Sequence, residues 1–332
     1  MTSGPRPSRR IRLLAIASAC GIAIAVTSLL SGFHTELHAV TADGPGATKS
    51  ELVTNDIVGI RTFAQPANVT VDADVVYGTQ ADGAVLTLDV CSPAGIATGP
   101  TRPAVVSIHG GSWARGDKGN RGWRAVCTWL ASEGFVAYSV NYRLVPAVHF
   151  PAAIDDVSLA VEWIRKPDNA ARYGIDPGRV GAFGGSAGGN LATLLGARGS
   201  GPLTEGSRVS AVAELSAPTD LSDAGLVRAG ASPGLKAIVQ RYLGCDSLRA
   251  CPQAISASPT SELDPSDPPV FIGTSTAEFI PLAQSTGYAV DLAHLGIAHE
   301  LATVRGSLHS IGILDAPMRA KVTAFLHREL GS

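Results

Sequence analysis

The sequence predicts an α/β protein: a mainly parallel central sheet with helices on both faces. Two observations carry this prediction. Apolar, strand-like runs fall at about 67–78, 84–91, 103–108, 135–141, 179–185, 210–216, 269–274 and 300–305, and from the third onward they alternate with helical stretches. The run at 179–183 also passes through Gly184-Gly185-Ser186-Ala187-Gly188 directly into a helix-like stretch at 190–195. The first two runs precede the alternation and read as an antiparallel start to the sheet. In such a sheet the functional loops gather at the carboxyl ends of the strands.

At the N-terminus, Arg6, Arg9, Arg10 and Arg12 precede an uncharged run over residues 13–30. A basic segment followed by an apolar one reads as an export signal, with Val40-Thr41-Ala42 as a small-residue cleavage site. The run is also close to the length that spans a bilayer, so residues 1–42 are either a signal peptide or an uncleaved membrane anchor held through 13–30. Ser8-Arg9-Arg10 resembles a twin-arginine signal, but Arg12 occupies its hydrophobic position. Both alternatives put the domain at 43–332 outside the cytoplasm, secreted or in the cell envelope.

The third strand-like run, 103–108, ends in His109-Gly110-Gly111-Ser112-Trp113. Acyl transfer passes through a tetrahedral oxyanion that needs backbone N–H donors aimed at it. Adjacent glycines let the backbone approach without a Cβ in the way. The N–H groups of Gly111 and Ser112 are candidate donors, with that of Ala187 as a third. Trp113 reads more as packing for this loop than as a pocket wall. Asp155 and Asp156 open a helix after Phe150-Pro151 and read as dipole and capping residues rather than as the carboxylate pair of a glycosidase.

The strand–Gly184-Gly185-Ser186-Ala187-Gly188–helix junction is a nucleophile elbow: a turn so tight that small residues must flank the serine, which stands clear of the sheet at a helix N-terminus. With His109-Gly110-Gly111 upstream, the chain resembles an α/β-hydrolase of the esterase/lipase group with an HGG-type oxyanion loop. Asn141-Tyr142-Arg143-Leu144, the run from Phe150-Pro151 through Asp155-Asp156-Val157, and Gly174-Ile175-Asp176-Pro177 resemble further landmarks of that group, in its order. The resemblance extends from about Val75 to the C-terminus. It implies serine chemistry on esters, through an acyl-enzyme and without a cofactor, and implies short- to medium-chain acyl groups.

The family order is serine, acid, histidine. Of eight histidines, His309 in Gly306-Ser307-Leu308-His309 follows a strand in a loop, where the family places its general base. The family's aspartate position after the 269–274 strand holds Thr276 or Ala277. Glu278 is the sole carboxylate between Asp267 and Asp291, and its extra methylene compensates for a displacement of one or two residues. Asp264 and Asp267 are the fallback, at the wrong end of the strand. An acetyl or feruloyl esterase on polysaccharide, an amide hydrolase on the same triad, and a non-catalytic binding protein on this fold are the competing readings.

The Gly- and Ser-rich segment 219–262 interrupts the strand–helix alternation and reads as a small cap over the pocket. Within it, Cys245 and Cys251 flank a five-residue loop and read as a local disulfide. Cys91 and Cys127 read equally as a second bridge or as two buried thiols, because Cys127 falls in a helix that should pack on the sheet. The remainder is bounded by composition. With 332 residues, 45% hydrophobic and 16% charged, the chain suits one well-packed domain beyond residue 42. A formal net charge of -2 gives no basis for nucleic-acid binding. No histidine or cysteine cluster has metal-ligand spacing, and neither a P-loop nor a dinucleotide fingerprint occurs.

Overall fold

The computed structural model describes residues 51–54, 59–95 and 101–331. The signal-or-anchor segment at 1–42 lies outside the described residues. Among the described residues, no helix is long and apolar enough to cross a membrane.

Among the described residues, nine strands form one sheet: β1 (Glu51–Thr54), β2 (Val69–Thr79), β3 (Val85–Pro93), β4 (Arg102–Ile108), β5 (Val136–Val140), β6 (Ile175–Gly185), β7 (Ala211–Leu215), β8 (Val270–Ser275) and β9 (His299–Arg305). Their spatial order is β1-β9-β8-β7-β6-β4-β5-β3-β2. All neighbours from β1 to β5 are parallel, whereas β5–β3 and β3–β2 are antiparallel. The early antiparallel pair is therefore as expected. The β1 strand is an addition: four residues are too few for an alternation to stand out.

The interior strands read as near-continuous apolar runs because both sheet faces are covered. On one face α1 (Arg121–Ser132) and α10 (Ala316–Leu330) pack on Val105, Ala137, Phe183 and Phe271. On the other, α2 (Ala152–Arg165), α4 (Ala187–Ala197) and α9 (Leu282–His294) pack on Val106, Ile108, Ala182 and Ile272. A short α3 (Pro167–Tyr173) leads into β6. The 219–262 segment, between β7 and β8, folds as α5 (Asp223–Arg228), α6 (Pro233–Leu243), α7 (Gln253–Ser256) and α8 (Pro259–Glu262).

Both cysteine pairs are bridged. Cys245–Cys251 closes the loop after α6, and Cys91–Cys127 ties β3 to α1. Packing α1 on the sheet is what brings the second pair together: the Cα atoms lie 5.7 Å apart across 36 residues of sequence. Closing a loop of that length removes about 4 kcal/mol of unfolded-chain entropy. Replacing both Cys91 and Cys127 by Ser is expected to lower the urea midpoint markedly, and an unchanged midpoint would show that the bridge contributes nothing.

Asp156 is not a helix cap. It is buried one residue beyond the first turn of α2, where it accepts from Arg143 Nη2 at 2.9 Å, from Arg143 N at 2.9 Å and from Gln80 Nε2 at 2.6 Å. A buried carboxylate is tolerated because the bidentate guanidinium and two further donors compensate for its lost hydration. It anchors the segment after β5 to α2. Asp155, by contrast, is exposed and pairs with Arg198.

Candidate active site

Four strand ends build the site. At the end of β6, Ser186 takes φ 56° and ψ -123°, and its N–H donates to Leu215 O of β7 at 2.8 Å. It occupies the N-cap position of α4 without using its hydroxyl for capping. The turn is forced by close approach: a Cβ on Gly188 would stand 2.1 Å from the carbonyl of Ile108, the last residue of β4. Only glycine lets the first turn of α4 lie against β4, and that contact brings the two sequence motifs together.

Beyond β4, the loop at 109–113 reverses sharply, with positive φ at Gly111 (130°), Ser112 (57°) and Trp113 (53°). Gly111 O accepts from Ala114 N and Arg115 N, both at 3.1 Å. Tyr142 donates its hydroxyl to His109 O at 2.8 Å and stacks on the imidazole with ring centroids 4.4 Å apart. Burial holds the pKa of His109 below the ordinary imidazole value, so the ring is neutral at pH 7 and structural in role. Trp113 is buried and stacks on Tyr242 of α6 at 4.1 Å, packing the loop as expected.

The ends of β8 and β9 contribute the acid–imidazole pair, Glu278 following β8. His309 follows β9, and its Nδ1 bonds Glu278 Oε2. The Glu278 side chain is wholly buried, and that of His309 is 31% exposed on the cavity side. The other Glu278 oxygen accepts from Ser216 Oγ at 2.8 Å, Ser275 N at 2.9 Å and Thr274 Oγ1 at 3.2 Å. Ser216, at the end of β7, in turn accepts from Ser310 N at 2.9 Å, and Ser275 donates to Leu308 O at 2.5 Å. The loop carrying His309 is thus bonded on both sides of the histidine. Sequence reasoning missed Ser216 and Ser275. Their one signal is position, since both stand where strands β7 and β8 end.

Ser186, His309, Gly111 and Ser112 line one cavity of about 640 Å³, with Ile238 of α6 and Phe279 among its other walls. Glu278 sits behind His309. Ala187 begins α4 immediately after Ser186. Among the described residues no hydrogen bond joins the Ser186 hydroxyl to His309. The fallback carboxylates lie elsewhere: Asp267 precedes β8 and pairs with Arg208 at 3.0 Å.

A second buried carboxyl lies behind the pair. Glu214 of β7 accepts from Ala217 N at 2.7 Å. Burial pushes its pKa up to about 8; the Ala217 bond opposes the rise and the charge of Glu278 adds to it. The folded state therefore holds a proton that the unfolded chain releases near the ordinary value of 4.5. Stability from this group is full below that value and declines as pH rises toward about 8, with a slope of up to about 1.4 kcal/mol per pH unit. Glu214→Gln is expected to flatten this decline, which urea midpoints at about pH 5 and about pH 8 would measure. An equal decline in the variant would remove Glu214 as its cause.

The comparisons with known proteins agree with this architecture. The BD-FAE family model matches residues 88–292, more than half of the chain. Esterase LipQ of Mycobacterium tuberculosis is 27% identical over 259 residues, covering 76% of this chain and 60% of LipQ. Neutral cholesterol ester hydrolase 1 of Bos taurus is 46% identical over 98 residues, or 29% of this chain and 24% of that protein. The chain thus aligns with less than two thirds of the length of either relative. Among solved structures, a truncated carbohydrate esterase from gut microbiota has a TM-score of 0.67 at 24% identity, covering 79% of this chain and 97% of that one. Esterase 2 of Thermogutta terrifontis, phosphoramylated by tabun, has a TM-score of 0.62 at 25% identity, covering 80% and 94%. The chain belongs to the BD-FAE family, within the esterase/lipase group of the α/β-hydrolases.

Proposed function

We propose that this chain is a serine carboxylic-ester hydrolase acting through an acyl-enzyme, with Ser186 as nucleophile, His309 as general base and acid, and Glu278 as the orienting carboxylate. The observation that carries the reading is the bond from buried Glu278 to His309 Nδ1, on an imidazole that shares a cavity wall with Ser186. With Nδ1–H held by a carboxylate, Nε2 is left unprotonated and able to accept the Ser186 proton. Substrate binding aligns the two, as catalytic bonds often tighten only in the substrate complex.

Ser186 Oγ bonds the ester carbonyl carbon while its proton passes to His309 Nε2. The N–H groups of Gly111, Ser112 and Ala187 hold the resulting oxyanion. Collapse breaks the bond to the alcohol, which leaves with the proton from His309. Water then attacks the acyl-enzyme, giving its proton to His309, and the released acid restores Ser186. In this reading segment 219–262 is a cap, supported by Ile238 reaching the cavity wall, and short- to medium-chain acyl groups fit the apolar walls at Ile238 and Phe279. The two disulfides support an exported protein, since such bridges persist in oxidising compartments.

The test is hydrolysis of p-nitrophenyl esters from acetyl to palmitoyl. Turnover with an optimum among the shorter acyl chains is expected. Absence of turnover across the series would count against the reading.

A further inference from the structure

His309 forms part of two walls. One belongs to the cavity that holds Ser186; the other belongs to an adjoining groove of about 730 Å³, and the two spaces share Asn120, Ser307 and His309. The groove adds Arg61, Arg121, Phe63 and Ile311. Arg115 lines the cavity itself. Among the described residues, neither space has an aspartate or glutamate in its wall.

These arginines differ from two other cations near them in sequence, Lys118 and Arg124. Lys118 and Arg124 are paired with Asp89, at 2.8 and 2.5 Å. Asp117 commits its carboxylate to Gly119 N at 2.6 Å and Asn141 Nδ2 at 3.0 Å. Among the described residues, Arg61, Arg115 and Arg121 have no carboxylate partner. On a chain of formal net charge -2, a cleft with three guanidiniums and, among the described residues, no carboxylate in its wall is a local reversal of sign.

The groove wall is built rather than incidental. A Cβ on Gly59, at φ 61°, would meet Gly312 O at 2.2 Å, so the turn at Gly59–Thr62 sits directly on the turn that follows His309. Arg319 Nη1 bonds Thr62 Oγ1 at 3.3 Å and Leu314 O at 2.9 Å, and its guanidinium lies 5.5 Å from the centre of the Phe63 ring. Arg61 is therefore carried beside the His309 loop by a packed turn.

We propose that this groove receives the alcohol portion of the substrate, and that the preferred alcohol carries a carboxylate on an apolar or aryl body. The inference rests on the ester-hydrolase reading for its account of which half of the ester lies there. The alcohol oxygen must take its proton from His309 Nε2, so the leaving group lies against His309, the residue that the cavity and the groove share. Phe63 and Ile311 offer apolar surface to the body of the alcohol. The planar guanidiniums of Arg61 and Arg121 offer the forked donors that match a carboxylate.

The experiment compares two esters of equal size, 4-acetoxybenzoate and 4-acetoxybenzamide, on the full chain and on the Arg61→Gln/Arg121→Gln double variant. The kcat/KM ratio of acid to amide is expected to fall about tenfold in the variant, the scale of two partly exposed charge pairs. In the unsubstituted protein the same ratio should fall as salt rises. An unchanged ratio overturns the proposal. Binding of 4-hydroxybenzoate to Ser186→Ala, with and without the two glutamines, gives a readout independent of turnover. If neither ester is hydrolysed but this binding weakens about tenfold, the ester-hydrolase reading fails and the anion groove stands. If esters are hydrolysed and neither the ratio nor the binding changes, the groove assignment alone fails.

Discussion

Ser186→Ala is expected to leave a folded protein whose ester turnover is lower by about 10⁴- to 10⁶-fold, the cost of removing the nucleophile from a unit that acts through it. Folding should survive because the hydroxyl caps no helix, and the backbone bond from Ser186 N to Leu215 O does not involve the side chain. Alanine meets the same left-handed backbone at φ 56° as serine does. Ser186→Gly relieves that strain and is expected to raise stability by about 1 kcal/mol while abolishing turnover equally. Such a pair of results would identify the elbow as a place where stability is given up for chemistry. The measurements are kcat/KM on a p-nitrophenyl ester and the urea midpoint. Alanine-variant activity within tenfold of the unsubstituted protein would place the nucleophile elsewhere.

The second large effect is expected at Glu278. In Glu278→Gln, the carbonyl oxygen stays with the three donors at Ser216, Thr274 and Ser275 N, because they are already in place. The amide NH₂ then faces His309 Nδ1. A donor at that position drives the ring proton to Nε2, where it blocks transfer from Ser186. Turnover should drop by about 10⁴-fold with little loss of stability, as expected for a wrong tautomer held in an intact site. Glu278→Ala should lose a similar factor and also destabilise, because it leaves Ser216 Oγ and Ser275 N without their acceptor. Activity within tenfold of the unsubstituted protein in Glu278→Gln would mean that another group orients the imidazole.

Much of this site is readable in the chain because its constraints are local. The elbow needs small residues where Gly188 passes the carbonyl of Ile108, so the motif records a distance. The parallel strands show as unbroken apolar runs because helices cover both faces. Glu278 is readable by exclusion, as the sole carboxylate in its segment. What escapes is non-local. The Cys91–Cys127 bridge depends on how α1 settles on β3, which neither cysteine's neighbours specify. Ser216 becomes a link between Glu278 and Ser310 only when β7 and β8 lie side by side. Asp156 has the sequence position of a helix-dipole residue, yet its role is set by Arg143 and Gln80 from distant parts of the chain. The Gly59–Thr62 turn gains its role from a contact with Gly312, more than two hundred residues away.

The central claim is that Ser186 attacks the ester and carries the acyl group. The most direct test treats the full chain with a p-nitrophenyl alkylphosphonate and maps the product by peptide mass spectrometry. Stoichiometric release of nitrophenolate and a phosphonyl adduct on Ser186 are expected, both slowed strongly by Glu278→Gln. An adduct on another residue, or continued ester hydrolysis by a protein that forms no adduct, would contradict it.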